Sequence, residues 1–231
     1  MAQLKNLFTS KSNVLKFLRH KLKKSKIEKI LDFTVEEWDN NKKDIISNIQ
    51  NEFYNKILII RSSAIGEDSV ENSNAGNYLS LQNINSNSKP KIQNAINHVI
   101  KSYNRKSNLN KNNQILIQCQ TNNIKQSGVI FTKTPDLGSP YYVINFEDGS
   151  STTGVTSGQV NKTIKIFRKS SLIEIPKKWQ KLIASIKEIE EIIDSDELDI
   201  EFGITKNNQI VIFQVRPITS LKNTYKKKYR F

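Results

Sequence analysis

This sequence predicts an α+β fold with antiparallel sheets. Amphipathic helical patterns dominate its first half, and only one returns late. Short apolar runs bounded by polar turns fill most of the second half. The repeated strand–helix–strand alternation of a parallel sheet is absent.

Leu15, Leu18 and Leu22 recur at helical spacing and predict a basic helix over 12–24. Thr34-Val-Glu-Glu37 is a capping box and opens a second helix toward Phe53. Ile57-Leu-Ile-Ile60 reads as a short buried strand. A polar loop follows, then a short strand from Tyr78 to Leu81. Ile92, Ala95, Ile96, Val99, Ile100 and Tyr103 mark a third helix, and 104–113 is a linker, polar apart from Leu109. Strands are expected at Ile115–Gln118, Gly128–Thr132, Tyr142–Phe146 and Thr163–Phe167. Leu182, Ile183, Ile186, Ile189 and Ile193 predict the last helix. Leu198–Phe202 and Ile210–Val215 are the closing strands. The expected organisation is two subdomains, 1–110 and 111–220, with a basic tail over 221–231.

Composition excludes several classes. No apolar run reaches the roughly 18–20 residues of a membrane span. The N-terminus lacks an apolar secretory core. Cys119 is the single cysteine, which excludes an internal disulfide and a multi-cysteine zinc site. These features predict a cytoplasmic protein with no membrane partner. The net charge is +14, with basic residues concentrated in the first thirty residues and the tail. A nucleic-acid partner is one reading of that charge. No zinc-finger, RRM or KH pattern accompanies it, and the aromatics do not interleave with the basic runs. The charge therefore reads as solvated lysine, with a basic nucleic-acid-binding protein kept as an alternative.

The closing strands carry chemistry. A two-residue primed turn at Asn207-Asn208 would set Ile200 against Val215, Phe202 against Phe213 and Ile204 against Val211. One face is then apolar. The other sets Asp199 against Arg216 and Glu201 against Gln214. Asp199 and Glu201, about 7 Å apart, repel by about 2 kcal/mol at a surface-like dielectric. Arg216 or a divalent cation relieves this. A carboxylate, an amide oxygen and a guanidinium on one wall suit a magnesium-bound triphosphate. An Asp–Arg pair on the wet face of an edge hairpin has the same pattern.

A second polar feature lies at the mouth of the 57–60 strand. Arg61 leaves the strand end, and Ser73-Asn-Ala-Gly76 forms a small-residue loop whose backbone N–H groups can approach phosphate. It is not a Walker A loop, because GxxxxGK[ST] does not occur.

Taken in order, RSSAxxEDS, SNAGxYLS, ILIQ, SGVIFTxxP, LDIEF and FQVRPIT resemble the nucleotide-binding domain of the phosphoenolpyruvate synthase and pyruvate phosphate dikinase family. Rifamycin phosphotransferases and glutamine kinase-like enzymes share that domain. The resemblance covers about 57–219 and extends to Ser10-Lys11, similar to an N-terminal Gly-Lys motif. It implies an ATP-grasp fold, with two subdomains of mostly antiparallel sheet enclosing a nucleotide.

By this resemblance Lys11 and Arg61 hold ATP phosphates. Ser73, Asn74, Ala75 and Gly76 cover them. Gln118 and Cys119 lie at the adenine hinge. Glu201 and Gln214 ligate Mg2+, and Arg216 holds the terminal phosphates. Val143–Asp148 and Val155–Gly158 are similar to the family's acidic segment and its VSG. The usual GLGE glutamate is replaced near Thr152-Thr153, which is closer to the kinase branches.

The implied activity is phosphoryl transfer from ATP to a histidine on a separate swivelling domain or subunit, then to a small-molecule acceptor. His20 and His98 lack the serine-histidine context of that acceptor. A non-catalytic nucleotide-binding or regulatory subunit is the alternative. Trp38 and Trp179 are expected in packing, and Glu67-Asp68 either orient Arg61 or face solvent.

Overall fold

Two antiparallel sheets, each with its own layer of helices, organise the chain. The computed structural model describes residues 7–66, 79–104, 110–149 and 162–219. In chain order these hold α1 (Lys11–Arg19), β1 (Ile30–Thr34), α2 (Val35–Glu52), β2 (Ile57–Ser63), β3 (Ser80–Asn85) and α3 (Lys89–Asn104). Then come β4 (Gln114–Cys119), β5 (Ile124–Phe131), β6 (Tyr141–Asp148), β7 (Lys162–Phe167), α4 (Lys177–Ile193), β8 (Leu198–Thr205) and β9 (Ile210–Pro217).

The first sheet has the order β1-β4-β2-β3 and the second β7-β6-β5-β8-β9. Side chains alternate between the faces of each strand. Leu58 and Ile60 of β2, with Ile115 and Ile117 of β4, turn into one core with α2 and α3. Trp38 stacks there on Phe33 at 5.9 Å between ring centroids. Arg61, Leu116 and Gln118 therefore fall on the opposite face. A second core joins Val14, Leu15 and Leu18 of α1 to Leu182, Ile186 and Ile189 of α4. Ile130, Ile144, Ile200 and Phe202 of the second sheet complete it, with Leu116 reaching in from the first. Trp179 packs edge-on against Phe146 at 4.7 Å.

Several expectations are corrected. The first helix ends at Arg19 rather than 24. The buried Glu188 carboxylate accepts the N–H groups of Lys23 and Lys24, both at 2.9 Å, and holds them as a turn. β1 is not among the strands the sequence predicts. Its Asp32 breaks the apolar run, yet it accepts from Ser12 Oγ at 2.6 Å and pairs with Lys16 at 2.7 Å. β3 runs over 80–85 rather than 78–81. The Thr34 capping box is present as read.

A division at 110/111 separates β4 from its sheet, since β4 lies between β1 and β2. The chain crosses between sheets later, between Cys119 and Ile124. An earlier crossing lies beside it. Lys26 bridges to Val211 of β9, and by Ile30 the chain has joined the first sheet. Lys29 O accepts from Cys119 N at 3.0 Å and Glu28 accepts from Thr121 Oγ1 at 3.3 Å, so the crossings form one double hinge.

The β8–β9 turn also differs. A primed turn needs positive φ at its first central residue, and type I′ at both; here Asn207 lacks it and only Asn208 adopts it, at φ 59°. The loop spans three residues: Thr205 N donates to Gln209 O at 3.0 Å and Asn208 N to Thr205 O at 2.9 Å. Phe202 consequently faces Ile212, and Ile204 faces Ile210. A bulge at Phe213 absorbs the extra residue. Beyond it Glu201 faces Gln214, Ile200 faces Val215 and Asp199 faces Arg216, as the sequence predicts.

Candidate functional site

The two sheets meet through Arg61. Its strand, β2, belongs to the first sheet, yet its guanidinium reaches the second. Nη1 donates to the Phe213 carbonyl at 3.0 Å, and Nη2 donates to Gln214 Oε1 at 3.1 Å. Nη2 also lies 3.6 Å from Glu201 Oε2. Beside this cluster Asp199 Oδ2 accepts from Arg216 Nε at 2.8 Å and pairs with Nη2 at 2.7 Å. Two carboxylates on alternate positions of β8 are thus each set against an arginine, one from their own hairpin and one from the other sheet. The mutual repulsion expected of Asp199 and Glu201 is offset in this way. Little of these side chains meets water: 14% for Arg61, 18% for Glu201, 15% for Arg216 and 8% for Asp199. Screening between them is correspondingly weak.

Lys11 opens α1 directly after the N-cap Ser10. Its neighbour Ser12 donates its N–H to Ser63 Oγ at 3.0 Å, which sets the helix start against the end of the strand bearing Arg61. Residues outside the expected set fix that junction. Tyr103 Oη accepts from Ser63 N at 3.0 Å and donates to Gln114 O at 2.6 Å. Asn113 Oδ1 accepts from Ile65 N at 3.1 Å. Asn113 and Tyr103 read as linker and helix face in the sequence. Neither carries a local pattern that points to β2, and only the sheet pairing brings them there.

Gln118 and Cys119 stand where the chain leaves the first sheet. Gln118 is 2% exposed, and among the described residues its Nε2 has no hydrogen-bond partner. A buried amide N–H left this way costs about 1–3 kcal/mol. Cys119 turns toward the first core. Burial pushes its thiol pKa up, and the Glu28 carboxylate adds to that. Ser73, Asn74, Ala75, Gly76, Glu67, Asp68, Thr152, Thr153 and the Val155–Gly158 segment lie outside the described residues. His20 and His98 are exposed.

Among the described residues no group of three or more His, Cys, Asp or Glu could hold a metal ion. Glu201 and Gln214 supply two hard oxygens on one face. That number suits Mg2+, which binds few protein ligands and keeps water and phosphate oxygens. Among the described residues no helix is long and apolar enough to cross a membrane.

Comparison with solved structures places this architecture. A D-alanine-D-alanine ligase from Coxiella burnetii superposes with a TM-score of 0.51 at 10% identity, over 95% of this chain and 50% of that one. A RiPP-associated ATP-grasp ligase from Chryseobacterium gregarium, solved with ADP and peptide, gives 0.52 at 14% identity, over 95% and 54%. The VanG D-Ala:D-Ser ligase from Enterococcus faecalis gives 0.51 at 12%, over 93% and 54%. This chain spans about half the length of those structures. No curated protein matched the sequence.

The paired sheets and their helices define an ATP-grasp fold. Residues 9–185 match the model of the pyruvate phosphate dikinase AMP/ATP-binding domain, and the chain belongs to that family of ATP-binding domains. The β8–β9 hairpin lies beyond the matched residues, so its place in the site rests on its contact with Arg61.

Proposed function

We propose that this chain binds Mg-ATP at the seam between its sheets and supports transfer of a phosphoryl group from it. The observation that carries this reading is the Arg61 guanidinium on Gln214 and Glu201, which joins basic and oxygen-rich residues from separate sheets into one cluster.

Each residue has a role in the proposal. Arg216, held by a hydrogen bond and an ion pair to Asp199, presents a rigid fork to the terminal phosphates. Arg61 and Lys11 take further phosphate oxygens, and the backbone of Ser73–Gly76 covers them. Glu201 and Gln214 hold Mg2+, which offsets charge on the phosphates when bound. Gln118 Nε2, which has no partner among the described residues, suits a hydrogen-bond acceptor on the adenine ring, with Cys119 beside it at the hinge. The work of such a site is positioning and charge compensation. The phosphoryl group passes to a histidine on a separate domain or subunit, then to a small-molecule acceptor. A cytoplasmic setting supplies the nucleotide.

Titration calorimetry with Mg-ATP tests the binding step. Arg216→Ala and Glu201→Ala each remove a charged partner and should weaken binding by roughly 2–3 kcal/mol. Transfer of label from ATP to an added histidine domain tests the chemistry. Unchanged affinity in both variants refutes the site. Binding without transfer leaves a non-catalytic nucleotide subunit.

A further inference from the structure

Arg61 and a divalent cation compete for the same two oxygens. Arg61 Nη2 lies 3.1 Å from Gln214 Oε1 and 3.6 Å from Glu201 Oε2. A Mg2+ ion holding both oxygens needs them at about 2.0–2.1 Å, in the space this guanidinium edge fills. The two cations also repel, in surroundings that water screens poorly. The two arginines of the cluster differ in what holds them. Arg216 is bound to Asp199 of its own hairpin. Arg61 comes from the other sheet and contacts the hairpin through Phe213 O, Gln214 and Glu201.

We infer that Arg61 guards the metal seat, so that the cation enters with the nucleotide and not ahead of it. This rests on the assignment of Glu201 and Gln214 as metal ligands. Without phosphate, drawing Arg61 away breaks its charge-assisted bonds in a poorly hydrated place. With phosphate, the guanidinium exchanges those acceptors for oxygens of equal or greater charge. The metal then takes the oxygens that Arg61 leaves. The order of loading follows from one side chain serving two acceptor sets, and Arg61 thereby couples metal entry to nucleotide entry.

Mn2+ titrated against the full chain, with unbound Mn2+ read by electron paramagnetic resonance, tests this with and without ATP. Without nucleotide, wild type should show no Glu201-dependent Mn2+ site. Arg61→Met should gain one, binding roughly tenfold or more tightly than wild type, and adding Glu201→Gln should remove the gain. With ATP, wild type should acquire a Glu201-dependent site. A wild type that binds Mn2+ alone through Glu201 overturns the guard, and comparison with Glu201→Gln shows this even if Arg61→Met does not fold. A folded Arg61→Met that gains nothing overturns it too. In both cases Glu201-dependent binding with ATP leaves the proposed function standing. If no Mn2+ binding depends on Glu201 even with ATP, both readings fall.

Discussion

Phe213 shows how a single residue shapes the candidate site. It is the bulged residue of β9, and its carbonyl accepts from Arg61. Its ring lies over Gly203, where an added Cβ would meet Phe213 Cζ at 2.6 Å and Ile124 Cδ1 at 2.9 Å. Gly203→Ala should cost about 1–3 kcal/mol through overpacking and shift the ring. Gly128→Ala should cost more, because its Cβ would meet the Asn145 backbone oxygen at 2.3 Å, and backbone within a sheet cannot turn aside. Urea midpoints of the two variants check the order. Cys119 gives a second test. Burial first, then Glu28, raises its thiol pKa, so less thiolate is present at any given pH. Alkylation should therefore rise at higher pH than for an unhindered thiol. Glu28→Gln should move that profile back toward lower pH, which iodoacetamide kinetics would show. An unmoved profile removes Glu28 as a cause.

At the scale of elements, α4 anchors the turn after α1. Glu188 accepts the N–H groups of Lys23 and Lys24 while largely buried. Glu188→Ala leaves both donors without that acceptor and should cost about 1–3 kcal/mol. Glu188→Gln keeps one acceptor oxygen and should cost less, as thermal unfolding would show. Local patterns made most elements legible. The Thr34 capping box and the periodic isoleucines of α3 and α4 name their own helices. Asp199–Arg216 and Glu201–Gln214 pair as alternation predicts. The end of α1 was not legible, because it depends on a glutamate far along the chain. β1 was hidden because its Asp32 is satisfied by α1, a partner that short-range periodicity does not reveal. The three-residue turn escaped because Asn207-Asn208 suits more than one loop type.

Across the whole molecule, two sheets are joined by a double hinge on one side and by Arg61 at the seam. A ligand that contacts both should stabilise the folded chain by mass action. At about one hundred times its dissociation constant, Mg-ATP should add roughly 2.7 kcal/mol. The melting temperature of wild type should rise accordingly. Arg216→Ala and Glu201→Ala should lose most of that rise at the same nucleotide concentration. An equal rise in all three would place the nucleotide elsewhere.

The sequence by itself determined the helix faces, the strands other than β1 and the order of charges along the closing hairpin, because each depends on neighbours two to four residues apart. The tertiary structure decided which sheet β4 joins, where the chain crosses between sheets, and that Arg61 meets Gln214 across 153 residues. Such contacts follow from the packing of two cores against one another. Periodicity, which acts only over a few residues, carries no record of them.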